Sequence, residues 1–253
     1  MSYLDIHAHF ADEGYDFPAE WEKIRAAGVR AVVLAGDSVP HSKAHRDFCS
    51  GRTGAYFTVG VHPSETAGFG KHTLDAVAAL ARDEKCVAIG EIGLDYHYPD
   101  TDKAAQKQAF TAQLELANAL GLPVQIHSRD AAEDTLTILR QHPSFVQNGF
   151  LLHCYSYGKE LLNDFLALGA YFSFGGVVCF KNARRAVESV ALCPQDRILS
   201  ETDSPYLSPF RGQKNTPANI PVIVKRLADI RGEREDDLIA AIERNAHTLF
   251  RKL

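Results

Sequence analysis

The sequence has 253 residues, of which 45% are apolar and 23% charged, as in ordinary soluble globular proteins. Its net charge of −5 argues against indiscriminate nucleic-acid binding through a broad basic surface, but leaves room for a local basic rim or for phosphates met by metal ions. Five widely spaced cysteines without a CxxC argue against a disulfide framework or a structural zinc knot. No basic, apolar leader and no long apolar run is present, so the expectation is a cytoplasmic protein that neither crosses a membrane nor needs an obligate protein partner.

Short apolar runs alternate with longer amphipathic ones along the chain. Strands are expected near Tyr3–Ile6, Arg30–Ala35, Tyr56–Val61, Val87–Glu91, Val124–His127, Phe150–His153, Tyr171–Phe174 and Arg197–Glu201. Their near-continuous apolar cores are typical of strands buried on both faces in a parallel sheet. Between the fourth and fifth, Gln106–Leu120 places Phe110, Leu114, Ala117 and Leu120 at helical spacing, and Gly121-Leu-Pro123 ends it. Glu160–Leu168, closed by Gly169, is a shorter helix, and Ile220–Arg231 and Asp236–Phe250 complete the series. Eight strands alternating with helices predict a TIM-type (β/α)8 barrel, a single domain over residues 1–253, with a doubly wound open sheet as the alternative.

The polar residues favour the barrel. They recur at the C-terminal ends of the expected strands: His7 and His9, His62, Glu91 and Asp95, His127 and Arg129, His153, then Glu201 and Asp203. Barrel active sites form where those ends converge. A lone histidine after an apolar run is usually a hydrogen-bonded rim or core residue, and Asp203 before Ser-Pro reads as a turn cap. Five histidines and several carboxylates at one mouth would crowd one another unless a cation held them. His7 and His9, two apart on a strand, face the same way and form a two-imidazole cation site. Imidazole with carboxylate suits zinc, manganese or iron, and more oxygen suits magnesium.

The ordered blocks Asp5-Ile-His-Ala-His9, Gly60-Val-His-Pro63, Gly90-Glu-Ile-Gly-Leu-Asp95, Pro123-Val-Gln-Ile-His-Ser-Arg129, His153-Cys-Tyr-Ser156, Glu201-Thr-Asp-Ser-Pro-Tyr-Leu207, Arg211-Gly-Gln-Lys-Asn215 and Asn245-Ala-His-Thr-Leu-Phe-250 span the chain. With them the sequence resembles the TatD family of deoxyribonucleases in the amidohydrolase superfamily. The resemblance implies two divalent ions (Mg2+, Zn2+ or Mn2+): one on His7, His9 and Asp203, one on His127 and His153, with Glu91 bridging. Two departures, Phe10-Ala-Asp12 after the first pair and Ser156-Tyr-Gly158 after His153, lie beside these positions.

The same resemblance implies cleavage of phosphodiester bonds at single-stranded DNA ends, 3′ to 5′. Hydrolysis of a small ester, amide, lactone or aminoacyl-tRNA is the alternative, and a metal-binding scaffold without catalysis is a third. Asp203 is expected to orient water or accept its proton. Glu201 is expected beside a ligand histidine, or else paired with Arg129 or Arg211, and His62 at a phosphate or leaving group. Arg129, Arg211, Lys214 and Asn215 are candidate phosphate contacts, with solvated loop charges as the plain reading of Arg211 and Lys214. Tyr155, Tyr157, Tyr206 and Phe210 could stack bases or serve as packing.

Overall fold

The computed structural model describes residues 2–9 and 16–253. The Phe10-Ala-Asp12 departure lies outside the described residues. Strands β1 (Tyr3–Ala8), β2 (Val29–Leu34), β3 (Ala55–Val59), β4 (Cys86–Asp95), β5 (Val124–Arg129), β6 (Phe150–Leu152), β7 (Tyr171–Phe174) and β8 (Ile198–Ser200) form one sheet in the order β1 to β8. Each neighbouring pair is parallel. The first and last strands meet just beyond their ends, where the His9 N–H donates to the Ser204 carbonyl at 2.7 Å and the Asp203 N–H to the His7 carbonyl at 2.9 Å. Sequential order with this closure is the (β/α)8 barrel; a doubly wound sheet would reverse its strand order partway.

Helices follow the strands: α1 (Phe17–Ala26), α2 (Val39–Cys49), α3 (Lys71–Leu80), α4 (Lys103–Leu120), α5 (Ala132–Gln141), α6 (Lys159–Leu166), α7 (Arg184–Leu192), α8 (Ile220–Arg231) and α9 (Glu235–Leu249). Their apolar faces pack on the barrel. Phe57, Phe150, Phe172 and Phe174 on strands, with Phe110, Phe165 and Phe250 on or after helices, are fully buried. Burial of each such ring contributes about 1.5–3 kcal/mol. Among the described residues, no helix is long and apolar enough to cross a membrane.

Two elements differ from expectation in ways that shape the mouth. β4 runs to Asp95 instead of ending at Glu91, because its ladder with β5 continues through Gly93↔His127 to Asp95↔Arg129. Gly93 has φ +145°, and a Cβ there would collide with the His127 carbonyl, so only glycine permits this approach. β6 and β8, by contrast, are three residues long. His153 and Asp203 therefore sit on chain that has left the ladder, with Cys154 at φ +45° and Asp203 at φ +55°.

α4 braces the rim. Its N-terminus extends to Lys103 because the Asp102 carboxylate accepts from the Ala104 and Ala105 N–H groups at 3.1 and 3.0 Å. Gly121, left-handed at φ +67°, ends it. Two glutamines on its buried face hold the strand ends: Gln113 bonds both backbone groups of Val61, at 2.8 and 3.1 Å, and Gln106 those of Asp95, at 2.9 and 3.1 Å. His62 is thus fixed through its neighbour and Asp95 through its own main chain.

Candidate metal centre

Four of the histidines expected at the mouth, His7, His9, His127 and His153, converge on Glu91, which is 2% exposed. Its Oε2 lies 3.5 Å from His7 Nε2 and 3.3 Å from His9 Nε2. Its Oε1 lies 2.8 Å from both His127 Nδ1 and His153 Nε2. Asp203 Oδ1 is 3.7 Å from His7 Nε2 and 3.6 Å from His9 Nε2. Two sets of ligand atoms within 4.8 Å of one another share Glu91: His7–His9–Glu91 and Glu91–His127–His153. A third joins His7 and His153 to Asp203.

The hydrogen bonds behind the imidazoles decide which nitrogen carries a lone pair. Gln125 donates through Nε2 to the Ile6 carbonyl at 2.6 Å, so its Oε1 faces His7 Nδ1 at 3.1 Å. An amide oxygen only accepts; His7 therefore holds its hydrogen on Nδ1 and turns a lone pair on Nε2 toward Glu91 and Asp203. Asp95 does the same for His127. Its Oδ2 is 3.2 Å from Nε2, leaving the Nδ1 lone pair toward Glu91 and His153. Behind His153, Glu201 Oε1 lies 3.6 Å from Nδ1, too far for a hydrogen bond, and both atoms are buried without one. The other Glu201 oxygen accepts from the Ser173 hydroxyl.

This donor set fits divalent cations. His7 Nε2 and His9 Nε2 are 3.2 Å apart, and His127 Nδ1 and His153 Nε2 are 3.0 Å apart. Two nitrogens each about 2.1 Å from one ion, at roughly 90–110°, would be about 3.0–3.4 Å apart. Without a cation, protons must do its work. Burial opposes charge on His153 and His127, yet the carboxylates beside them, Glu91 with Glu201 or Asp95, hold both above the ordinary imidazole range. His9 is likewise pushed up to about 9 against burial, by Glu91 and Asp203. Despite its own burial, Glu91 is held well below the carboxylate range by His153, His62, His7 and His127. Burial drives Asp203 upward, with His7, His153 and His9 opposing.

His62 is built differently. Its Nδ1 accepts from the Ser64 N–H at 3.1 Å, so the hydrogen sits on Nε2, which lies 3.7 Å from Glu91 Oε1. Burial, reinforced by His127 and His9, lowers its pKa to about 4 although Glu91 pulls the other way. At neutral pH it is an uncharged N–H donor at the cavity wall.

The surrounding cavity, about 1030 Å³, is lined by His62, Arg129, Cys154, Tyr206 and the candidate metal ligands His9, Glu91, His127, His153 and Asp203. Several candidate contacts lie away from the cavity or take the plainer of their two readings. Asn215 is fully buried off the cavity lining, and its side-chain NH2 donates to the Thr202 and Tyr206 carbonyls at 2.8 Å each, so it braces the loop after β8. Arg211 is exposed but does not line the cavity, nor does Lys214. Glu201 pairs with neither Arg129 nor Arg211; it faces His153. Tyr155 packs on Phe172 and Phe174, and the Tyr157 hydroxyl bonds Ser128 and the Ala131 N–H, so both are structural. Phe210 also lies off the cavity lining.

Sequence reasoning assigned no role to Gln125 or to Asp95, although both stand in the quoted blocks, and it passed over Asp5. Asp5 is fully buried and accepts from the Thr202 N–H at 2.9 Å, tying β1 to the chain after β8; burial pushes its pKa up to about 8.

A family model described as TatD related DNase matches residues 4–251. A Bacillus subtilis protein, YabD, described as an uncharacterized metal-dependent hydrolase, is 35% identical over 98% of this chain and 98% of its own. The 3′-5′ ssDNA/RNA exonuclease TatD of Klebsiella pneumoniae is 35% identical over 90% of this chain and 89% of its own. Among solved structures, the Escherichia coli TatD homolog YjjV superposes with a TM-score of 0.93 at 26% identity, covering 98% of each chain.

Proposed function

The chain belongs to the TatD-related DNase family of metal-dependent hydrolases, and from that premise we propose that it is an exonuclease acting on single-stranded DNA ends through two divalent ions. The observation that carries this reading is the split carboxylate of Glu91, one oxygen among His7 and His9 and the other among His127 and His153. In this reading His7, His9 and Asp203 hold one ion, His127 and His153 the other, and Glu91 both. The identity of the relatives named as 3′-5′ exonucleases supports DNA as substrate and 3′-end polarity. One catalytic domain over residues 1–253 carries the activity. The five cysteines, all unpaired, support a reducing, cytoplasmic setting.

Bound there, two divalent ions would supply an activated water and neutralise charge on the phosphate. The protein's own groups do the rest. Asp203, raised by burial, is suited to accept the proton of the attacking water. His62, with its hydrogen fixed on Nε2, donates toward the leaving oxygen. Glu201 positions His153 from behind. Arg129 lines the cavity and pairs with a non-bridging phosphate oxygen.

The test is incubation of metal-stripped protein with end-labelled linear single-stranded, duplex and circular DNA and each divalent metal in turn. Stepwise release of mononucleotides from linear single strands, with circles intact, is the expected result. Rapid cutting of circles, or inert DNA alongside fast lactone or ester hydrolysis, would contradict it.

A further inference from the structure

We propose that Tyr98 and Tyr206 are stacking platforms for the two nucleosides that flank the scissile phosphate, with the terminal nucleoside on Tyr98. The inference rests on the exonuclease reading and deepens it.

Among the described residues, six large apolar side chains are exposed, and of these only Tyr98 and Tyr206 line the cavity. They are 62% and 52% exposed, far beyond what packing requires. Tyr98 follows β4 and Tyr206 follows β8. In a closed ring of eight strands in sequential order these connections lie on opposite sides of the mouth, with the metal ligands between them. The Tyr206 ring centroid is 6.0 Å from that of His9, at one end of the cluster. At the other end, Arg129, two residues beyond His127, places its guanidinium carbon 5.9 Å from the Tyr98 centroid. Each side of the centre thus offers a phenol ring that stays partly solvated in the absence of substrate. An aromatic face accepts any base, giving affinity without sequence preference. Stacking also needs an unpaired base, which excludes duplex interior.

Charge sets the direction. On the Tyr98 side, the cavity is lined by three carboxylates, Asp95, Asp100 and Asp102, against one cation, Arg129. A continuing phosphate chain would be repelled there, whereas a terminal nucleoside brings no phosphate beyond the scissile one. On the Tyr206 side the loop after β8 goes on to Arg211 and Lys214, and the remaining strand leaves that way.

The experiment measures kcat/KM on end-labelled single-stranded oligonucleotides, complete or carrying a tetrahydrofuran abasic residue at the terminal position. Tyr98→Ala should lower kcat/KM on the complete strand by between about 5-fold and about 150-fold, the range for loss of one base stack. Tyr98→Phe should restore it. The substitution and the missing terminal base should cost no more together than either alone. Tyr206→Ala should show the same non-additivity with an abasic residue at the penultimate position. Equal losses for Tyr98→Ala on complete and abasic strands, or no loss on either, would overturn the assignment. If the wild-type enzyme released no nucleotide from the complete strand, the exonuclease reading would fall, and this inference with it.

Discussion

Asp95 should govern one of two metal-binding events without belonging to the ligand set. Its two oxygens serve two donors: Oδ2 faces His127 Nε2 at 3.2 Å, and Oδ1 accepts from the His97 N–H at 2.9 Å. Asp95→Asn offers one acceptor and one donor in the same volume. If the amide oxygen takes the His97 N–H, the NH2 faces His127 Nε2 and moves the imidazole hydrogen to Nδ1, where Glu91 and His153 converge. If the oxygen keeps His127, two N–H donors oppose each other at His97, costing about 1–3 kcal/mol. Loss of such an outer partner weakens metal binding about 10–100-fold, or about 1.4–2.7 kcal/mol. Calorimetric titration of metal-free Asp95→Asn with Mn2+ should show one event weakened by that factor and the other nearly unchanged. Two events of wild-type affinity in a protein that is folded by circular dichroism would refute the tautomer argument.

Other consequences follow from the same geometry. Glu91→Ala should lose both ions and all activity, whereas His153→Ala should chiefly weaken one; two bound ions with near-normal turnover in Glu91→Ala would disprove the bridge. Arg129→Ala should raise KM for single-stranded DNA about tenfold, near the low end for a charge-assisted bond because the side chain is exposed, with Arg211→Ala, off the cavity lining but on the side where the strand leaves, raising it less; an unchanged KM in Arg129→Ala would remove the phosphate contact. Buried His45, on α2, is held neutral by burial, with its pKa lowered to about 3. The unfolded chain takes up that proton near pH 6.5, so stability is fully present above that pH and falls as pH drops toward 3, by up to about 1.4 kcal/mol per unit. Urea unfolding across this range should show a shallower slope for His45→Gln; an unchanged slope would rule out His45 as the source.

The site was legible because five of the eight apolar runs, the first, fourth, fifth, sixth and eighth, stop at or just before a residue with a ligand atom, and a barrel forces those stops together. His7, His9, Glu91, His127, His153 and Asp203 met as expected for this reason. The groups behind the ligands were not legible. Gln125 and Asp95 gain their roles from register: Gly93↔His127 brings β4 alongside β5, so that Asp95 reaches the far nitrogen of His127. A tautomer-fixing contact of this kind leaves no spacing signature. A polar residue such as Asn215 in a loop after β8 reads as solvent-facing, whereas it is fully buried and bonds the Thr202 and Tyr206 carbonyls, the Thr216 N–H and Asn219. Tyr98 was passed over because one aromatic in a connection carries no pattern; its meaning comes from facing Tyr206 across the ring.

Anomalous scattering from crystals of the Mn2+-loaded protein tests the central claim most directly. Two peaks are expected on either side of the Glu91 carboxylate, one among His7, His9 and Asp203 and one between His127 and His153. A single peak away from Glu91, or none at saturating Mn2+, would contradict the two-ion centre.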